Sequence, residues 1–316
     1  MSDYRFKRLS EKNLNDYILI FKEVFGESPD RNSVIEKFDS PLGYLKYFGF
    51  IAYDLKNNPA AYYGIFPVQY NINGRDVWCA QSGSTMTRAS HRGKGLFSLL
   101  AKETYRVAEA EGIEFVFGIP NEFSYPGFCS LKWTFSKRMV ALVLPVITFK
   151  WLSRTKINES FYFPTEQIKK INQNQRFSFF KTYELDSTEA QKYLSQLPMR
   201  PLSFYDSKLG FLLVRKNICL WVKRTSQHNL AIGDVIKSAE TESMFTSYVM
   251  LYIACMLKGF KQIRFYCTDD HPILSDFKLP WLKKLSLNFG FLILKDKSYP
   301  QKDPGLRITY GDYDTF

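Results

Sequence analysis

Apolar and polar residues alternate from Tyr4 to Leu9, which predicts a short strand with one buried face. Leu14, Tyr17, Ile18, Phe21, Val24 and Phe25 then recur at helical spacing. Phe48–Tyr53 and Ala60–Tyr70 read as two further strands. Asn73-Gly74 is a hairpin-turn dipeptide, so it leads into another strand, Val77–Thr87. A loop rich in Arg, Gly and Lys follows. Leu96, Leu99, Leu100 and Val107 mark a helix that Gly112 ends, and the apolar run Phe115–Ile119 predicts a central parallel strand.

From about Leu144 to Gln175 the pattern breaks, with Pro145, Pro164 and the polar run Lys169–Gln175. The longest apolar stretch, Met139–Phe149, overlaps the start of this region and reads as a buried strand. The order then restarts. Arg176–Tyr183 reads as a strand and Ser187–Leu197 as a helix, and Gly210–Arg224 and Leu230–Ile236 as meander strands. Phe245, Tyr248, Val249, Tyr252 and Met256 form a helical stripe, and Lys258-Gly259-Phe260 leads into a strand, Gln262–Cys267. That junction echoes Glu111-Gly112-Ile113 before Phe115. The expected fold class is α/β (α+β), a mixed sheet flanked by helices, built twice. The expected division is a first domain at 1–150, a connector at 151–175 and a second domain at 176–316.

Composition narrows the chemistry. No apolar run in the 316 residues approaches the roughly 20 residues of a membrane span. The opening Met-Ser-Asp-Tyr-Arg lacks the apolar core of a signal peptide, so a cytoplasmic location is expected. Five cysteines form no C-x-x-C pair, and only His91, His228 and His271 are present, which argues against a metal centre. The net charge of +12 is spread along the chain without a nucleic-acid-binding motif. A polyanionic cofactor or an acidic substrate accounts for it as well as a nucleic acid does.

The stretch Thr87–Phe97 carries the chemistry: a strand ends, a glycine-containing loop follows, and an amphipathic helix begins. The first turn of a helix leaves N–H groups without intrahelical partners, and its positive end suits a diphosphate. Gly93 and Gly95 permit unusual backbone angles, and Arg92 and Lys94 add charge. The P-loop pattern is absent, and the dinucleotide fingerprint would need glycine where Ser98 stands. The plain alternative is a strand-to-helix turn with a solvated basic loop.

Arg92-Gly93-Lys94-Gly95-Leu96 resembles the acyl-CoA signature of the GNAT superfamily of N-acyltransferases, R/Q-x-x-G-x-G/A. Val77–Thr87 sits where that family places the strand holding the pantetheine arm. Phe115–Ile119 with Asn121 is similar to its next strand and following asparagine, and Asn121–Trp133 to its closing helix and turn. The likeness covers about half the chain and is nearest to two-domain members whose second GNAT-like domain has lost the CoA loop.

The resemblance implies direct attack of an amine on a thioester, with acetyl-CoA as co-substrate, no metal, and a small amine such as an amino sugar as acceptor. It implies cofactor contacts at Met86, Thr87, Arg92, Gly93, Lys94, Gly95, Leu96, Phe97, Asn121 and Phe128, with oxyanion donors among the backbone N–H groups of Ser84–Thr87. Three departures stand out. Phe97 replaces the signature's last glycine or alanine. Phe128 stands where the family often has the tyrosine that protonates the leaving thiolate, and Lys132 where it has glycine. Tyr125, one helical turn before Phe128, is the substitute acid or a pocket wall. Val77–Thr87 holds no Asp or Glu. In the Eis-type relatives the chain terminus supplies a base, which here implies the Phe316 carboxylate, or Asp314 or Asp312. Cys79 reads as a core thiol rather than a nucleophile. Two other readings remain: a FemABX-like aminoacyl transferase using charged tRNA, and a non-catalytic CoA-binding protein.

Overall fold

The computed structural model describes residues 3–38, 46–147, 176–197, 210–216, 218–226, 228–237, 245–276, 283–295 and 304–312. The expected connector at 151–175 lies outside them, as do Asp314 and Phe316. Chain contacts separate two compact units: Met1–Ser136 with Asn288–Leu306, and Lys137–Leu287 with Arg307–Phe316. The division is therefore interleaved and not contiguous. Each half of the chain lends a strand to the other unit, an exchange that no local sequence pattern signals.

The first unit contains β1 (Tyr4–Arg8), α1 (Leu14–Phe25), α2 (Arg31–Phe38), β2 (Gly49–Asp54), β3 (Pro59–Ile72), β4 (Arg75–Thr87), α3 (Leu96–Ala110), β5 (Phe115–Gly118) and α4 (Tyr125–Ser130). β1 to β4 form an antiparallel meander in sequence order. β4 then runs parallel to β5 after the α3 crossover, with Cys79, Ala80 and Gln81 opposite Phe115, Val116 and Phe117. The end of β12 (Lys283–Ile293) closes this sheet, antiparallel to β5, with Gly290 opposite Gly118.

Alternation along the strands fills both faces of the sheet. Phe50, Tyr63, Ile65, Ala80 and Val116 pack with Leu96, Leu100 and Tyr105 of α3 and with Phe128 of α4. Ile51, Tyr53, Tyr62 and Met86 point the other way, onto Leu14, Tyr17, Ile20 and Phe21 of α1 and onto Val34 and Phe38 of α2. Sheets with a parallel pair covered on both faces are expected to read as near-continuous apolar strands, as β2 and β5 do.

The second unit repeats the order. Its strands are β7 (Lys181–Glu184), β8 (Phe211–Arg215), β9 (Ile218–Ser226), β10 (Asn229–Lys237) and β11 (Gln262–Thr268), with α5 (Thr188–Leu194) after β7 and α6 (Phe245–Leu257) between β10 and β11. Again one parallel pair follows a crossover helix: Asn229–Ile232 lie beside Gln262–Phe265. Again a strand from the other half closes the sheet, here β6 (Thr134–Pro145), whose Met139–Pro145 run antiparallel to β11. The expected strand Arg176–Tyr183 begins only at Lys181. Phe179 adopts φ 72°, and Phe177 turns in to pack on Phe211 and Phe260. The expected meander strands over Gly210–Arg224 are β8 and β9, paired antiparallel, with β10 following beside β9.

Candidate functional site

β4 and β5 pair over three residues only. β5 ends at Gly118, whereas β4 continues to Thr87. Along this unpaired length β4 carries a bulge. Met86 pairs with Tyr62 and Gly83 with Gly64, so Ser84 and Thr85 together face Tyr63. Ser84 takes φ 55°, a rare left-handed angle for serine. Bulges of this kind bend a strand and interrupt its ladder, and they concentrate at functional sites.

At the end of β4 the chain turns into the glycine loop. Arg88 is anchored by two hydrogen bonds to Glu23, at 2.6 and 2.8 Å, and one to the Pro59 carbonyl at 2.8 Å. It is therefore committed to holding the strand end on α1. Arg92 is exposed and returns only its Nε to the Thr87 carbonyl, at 3.3 Å, which leaves its two terminal nitrogens without a partner among the described residues. Lys94 is exposed, 5.8 Å from the Tyr4 ring centre, and His91 Nδ1 lies 2.8 Å from Tyr4 Oη.

Gly93 and Gly95 adopt φ 75° and 71°, and nothing lies within 4 Å of where a Cβ would stand on either. The loop is thus left-handed at both glycines, with open space beside the backbone. Gly95 caps α3, and the first bond of the helix runs from Leu99 N to Gly95 O, at 3.1 Å. The N–H groups of Leu96, Phe97 and Ser98 have no intrahelical acceptor. Exposed amides at a positive helix end, two free guanidinium nitrogens and a lysine beside an open backbone fit a diphosphate.

Phe97 does not obstruct this loop. Its ring turns away, edge-on to Tyr63 at 5.4 Å and to Phe128 at 5.0 Å, and its Cε1 lies 2.6 Å from where a Gly127 Cβ would stand. Met86 buries its side chain on α1 and α2, so only its backbone is available to a ligand. Leu96 likewise faces the core. Thr87 is half-buried at the strand end.

Asn121 serves its own turn. Its Oδ1 accepts from Phe123 N at 3.0 Å and Ser124 N at 2.9 Å, and its carbonyl accepts from Tyr125 N at 2.9 Å. Phe128 is buried and packs on Trp133 at 4.3 Å. Tyr125 is half-buried at the start of α4, with its ring 4.8 Å from that of Phe135. Lys132 takes φ 62°, which explains why glycine suits that position.

Cys79 is fully buried, with Sγ 3.5 Å from the Val68 carbonyl, as a core thiol is. Asp312 is buried, and its Oδ2 accepts from Thr309 N at 2.7 Å.

Sequence reasoning missed a hydroxyl chain below the opening. Ser82 Oγ lies 2.8 Å from Tyr63 Oη, Tyr63 Oη 2.5 Å from Tyr105 Oη, and Trp133 Nε1 donates to Tyr105 Oη at 3.2 Å. Burial holds the Tyr63 phenol far above its ordinary pKa, and burial together with the neighbouring Tyr63 does the same for Tyr105. Neither ionises near neutral pH. In sequence each aromatic of this chain looks like ordinary core.

A family model described as an acetyltransferase (GNAT) domain matches residues 5–135. Residues 5–135 are a GNAT domain. The match spans the meander, the glycine loop, α3, β5 and α4, and it ends as β6 begins. Solved structures share the fold over most of the chain. A GCN5-related N-acetyltransferase from Kribbella flavida is 12% identical, with a TM-score of 0.62 over 93% of this chain and 72% of its own. One from Anabaena variabilis is also 12% identical, with a TM-score of 0.60 over 92% and 73%. Saccharomyces cerevisiae N-myristoyltransferase with bound myristoyl-CoA is 14% identical, with a TM-score of 0.58 over 92% and 78%. No curated protein matches the chain in sequence. The GNAT fold supports an acyl-CoA-dependent N-acyltransferase in general, and no helix among the described residues is long and apolar enough to cross a membrane.

Proposed function

We propose that this GNAT protein transfers an acetyl group from acetyl-CoA to a small amine, with an amino sugar as the first acceptor class to test. The carrying observation is the Arg92–Gly95 loop, whose two left-handed glycines and free amides open onto solvent beside the unpaired length of β4. Gly93–Phe97 hold the pyrophosphate with Arg92 and Lys94, and the length of β4 that β5 leaves unpaired, from Thr87 back to Ser82, takes the pantetheine arm and thioester. Phe128 contributes to the wall through packing, not through contact with the cofactor, since its ring is buried. The bound acyl-CoA supplies an activated carbonyl, which the amine attacks directly.

A thiol leaves with a pKa near ~8.5, judged by cysteine, so a strong general acid is dispensable. Tyr125 remains the acid within α4. For the base, Asp312 is occupied by Thr309, which leaves Asp314 as the candidate. The second unit, which repeats the strand order but has no Arg-x-x-Gly-x-Gly before α6, binds no CoA of its own. A cytoplasmic acetyltransferase is the whole reading.

Release of free CoA, followed with a thiol reagent while candidate amines are supplied with acetyl-, hexanoyl- and myristoyl-CoA, tests it. Acetyl-CoA turnover with an amine is the expected outcome. Turnover of myristoyl-CoA alone would contradict the acetyl assignment, and binding without turnover of any donor would contradict an enzyme.

A further inference from the structure

The hydroxyl chain beneath β4 has a polarity fixed by its members. An indole N–H can only donate, so Tyr105 Oη accepts from Trp133. The single proton of Tyr105 then needs an acceptor, and among the described residues Tyr63 Oη, at 2.5 Å, is the one in reach. Among the described residues Tyr63, fully buried, has in turn only Ser82 Oγ to donate to, at 2.8 Å. Ser82 therefore receives a hydrogen bond from the core and keeps its own proton for an acceptor outside it.

Ser82 stands where that acceptor is needed. It is the first β4 residue beyond the last parallel pair, Gln81 with Phe117, and it is half-exposed. A Cβ on Gly118 would lie 3.5 Å from Ser82 Cβ, so the serine faces the point at which β5 stops beside β4. From Thr87, where the glycine loop starts, back to Ser82 is five residues, or roughly 15 Å of strand. An extended pantetheine arm laid along β4 from a pyrophosphate on the loop brings its thioester to this point.

We propose that the Ser82 hydroxyl is a hydrogen-bond donor to the thioester carbonyl of bound acyl-CoA, aimed by the buried chain Trp133, Tyr105 and Tyr63. The inference rests on the acyl-CoA reading above. Because the buried phenols do not ionise, Ser82 acts as a fixed donor and surrenders no proton. Ser82 is then a catalytic residue, and Tyr63, Tyr105 and Trp133 are positioning residues that spare it from choosing among rotamers as charge develops on the oxygen.

Infrared difference spectroscopy of acetyl-CoA labelled with ¹³C at the carbonyl, bound to the full chain, reads this contact directly. The carbonyl band is expected to move to lower frequency on binding. In Ser82→Ala it should return most of the way to its position in free acetyl-CoA. Tyr63→Phe should broaden it and return it partly, and Ser82→Thr should restore the wild-type band. With an accepting amine, Ser82→Ala should lower kcat about 10²-fold, at the lower end for one lost oxyanion donor, with the acetyl-CoA KM changed less than threefold. A band unmoved by Ser82→Ala in a protein that still binds acetyl-CoA overturns this inference alone. Failure of the wild-type chain to bind any acyl-CoA overturns it together with the function on which it rests.

Discussion

Phe97 shows how a departure from a family signature can be neutral to the site and costly to remove. Its amide remains in the first turn of α3, while its ring fills the space over Gly127 between Tyr63 and Phe128. Phe97→Ala is expected to cost about 3 kcal/mol in urea denaturation, at the low end for an aromatic truncation because the ring is only half-buried. Acetyl-CoA affinity should fall less than tenfold, and a larger loss in a folded variant would show that the side chain itself meets the ligand. Lys132 is the opposite case. Its left-handed backbone, φ 62°, is strained for lysine, so Lys132→Gly should raise stability by about 0.5–1 kcal/mol, the relief of strain less the flexibility that glycine adds to the unfolded chain. A lower melting temperature would contradict this. Gly93, Gly95 and Arg92 were legible in the sequence because backbone freedom and charge belong to single residues. The hydroxyl chain was not, because Ser82, Tyr63, Tyr105 and Trp133 meet only through the fold.

Elements with a strong local period were readable: α1, α3, α6 and the β3–β4 hairpin all fall close to where the apolar pattern places them. Short or borrowed elements were not. α2 buries only Val34 and Phe38, too few positions to show a period. β12 has a partly exposed leading end, and only its last residues meet β5. In the second unit Asp270 sits at the end of β11, with Lys137 Nζ at 3.1 Å and Arg307 Nε at 3.4 Å. Partial burial raises its pKa, but hydrogen bonds from Lys137 and Thr268 and the charges of Lys137 and Arg307 outweigh this and bring it below the ordinary carboxylate range. A depressed folded pKa contributes stability above the unfolded value, near ~4, and that stability is lost as pH falls through the lower folded value. Asp270→Asn should therefore destabilise the protein at pH 7 by about 1 kcal/mol, reduced by solvent screening, and the gap from wild type should narrow below pH 4. Denaturation curves at pH 7 and pH 3 check this, and a gap that stays constant would show that the ion pairs contribute nothing.

On the scale of the molecule, two units with one strand order raise the question of how many act. The closing segment runs into the second unit, where Thr309 bridges Cys267 and Gly311 packs on Trp221. It is anchored as far as Asp312. If Asp314 is the base, Asp314→Asn should lower turnover about 10²-fold while acetyl-CoA affinity is kept. Wild-type turnover in that folded variant would place the base elsewhere. The central claim, a single acyl-CoA site on the glycine loop, is tested most directly by calorimetric titration of acetyl-CoA into wild type and Gly95→Asp. Aspartate tolerates a left-handed backbone better than most residues, and nothing crowds Gly95, so the variant should fold. Its carboxylate would stand against the phosphates. One equivalent bound by wild type and none by folded Gly95→Asp is the predicted result. Two sites per chain, or unchanged affinity in the variant, would contradict it.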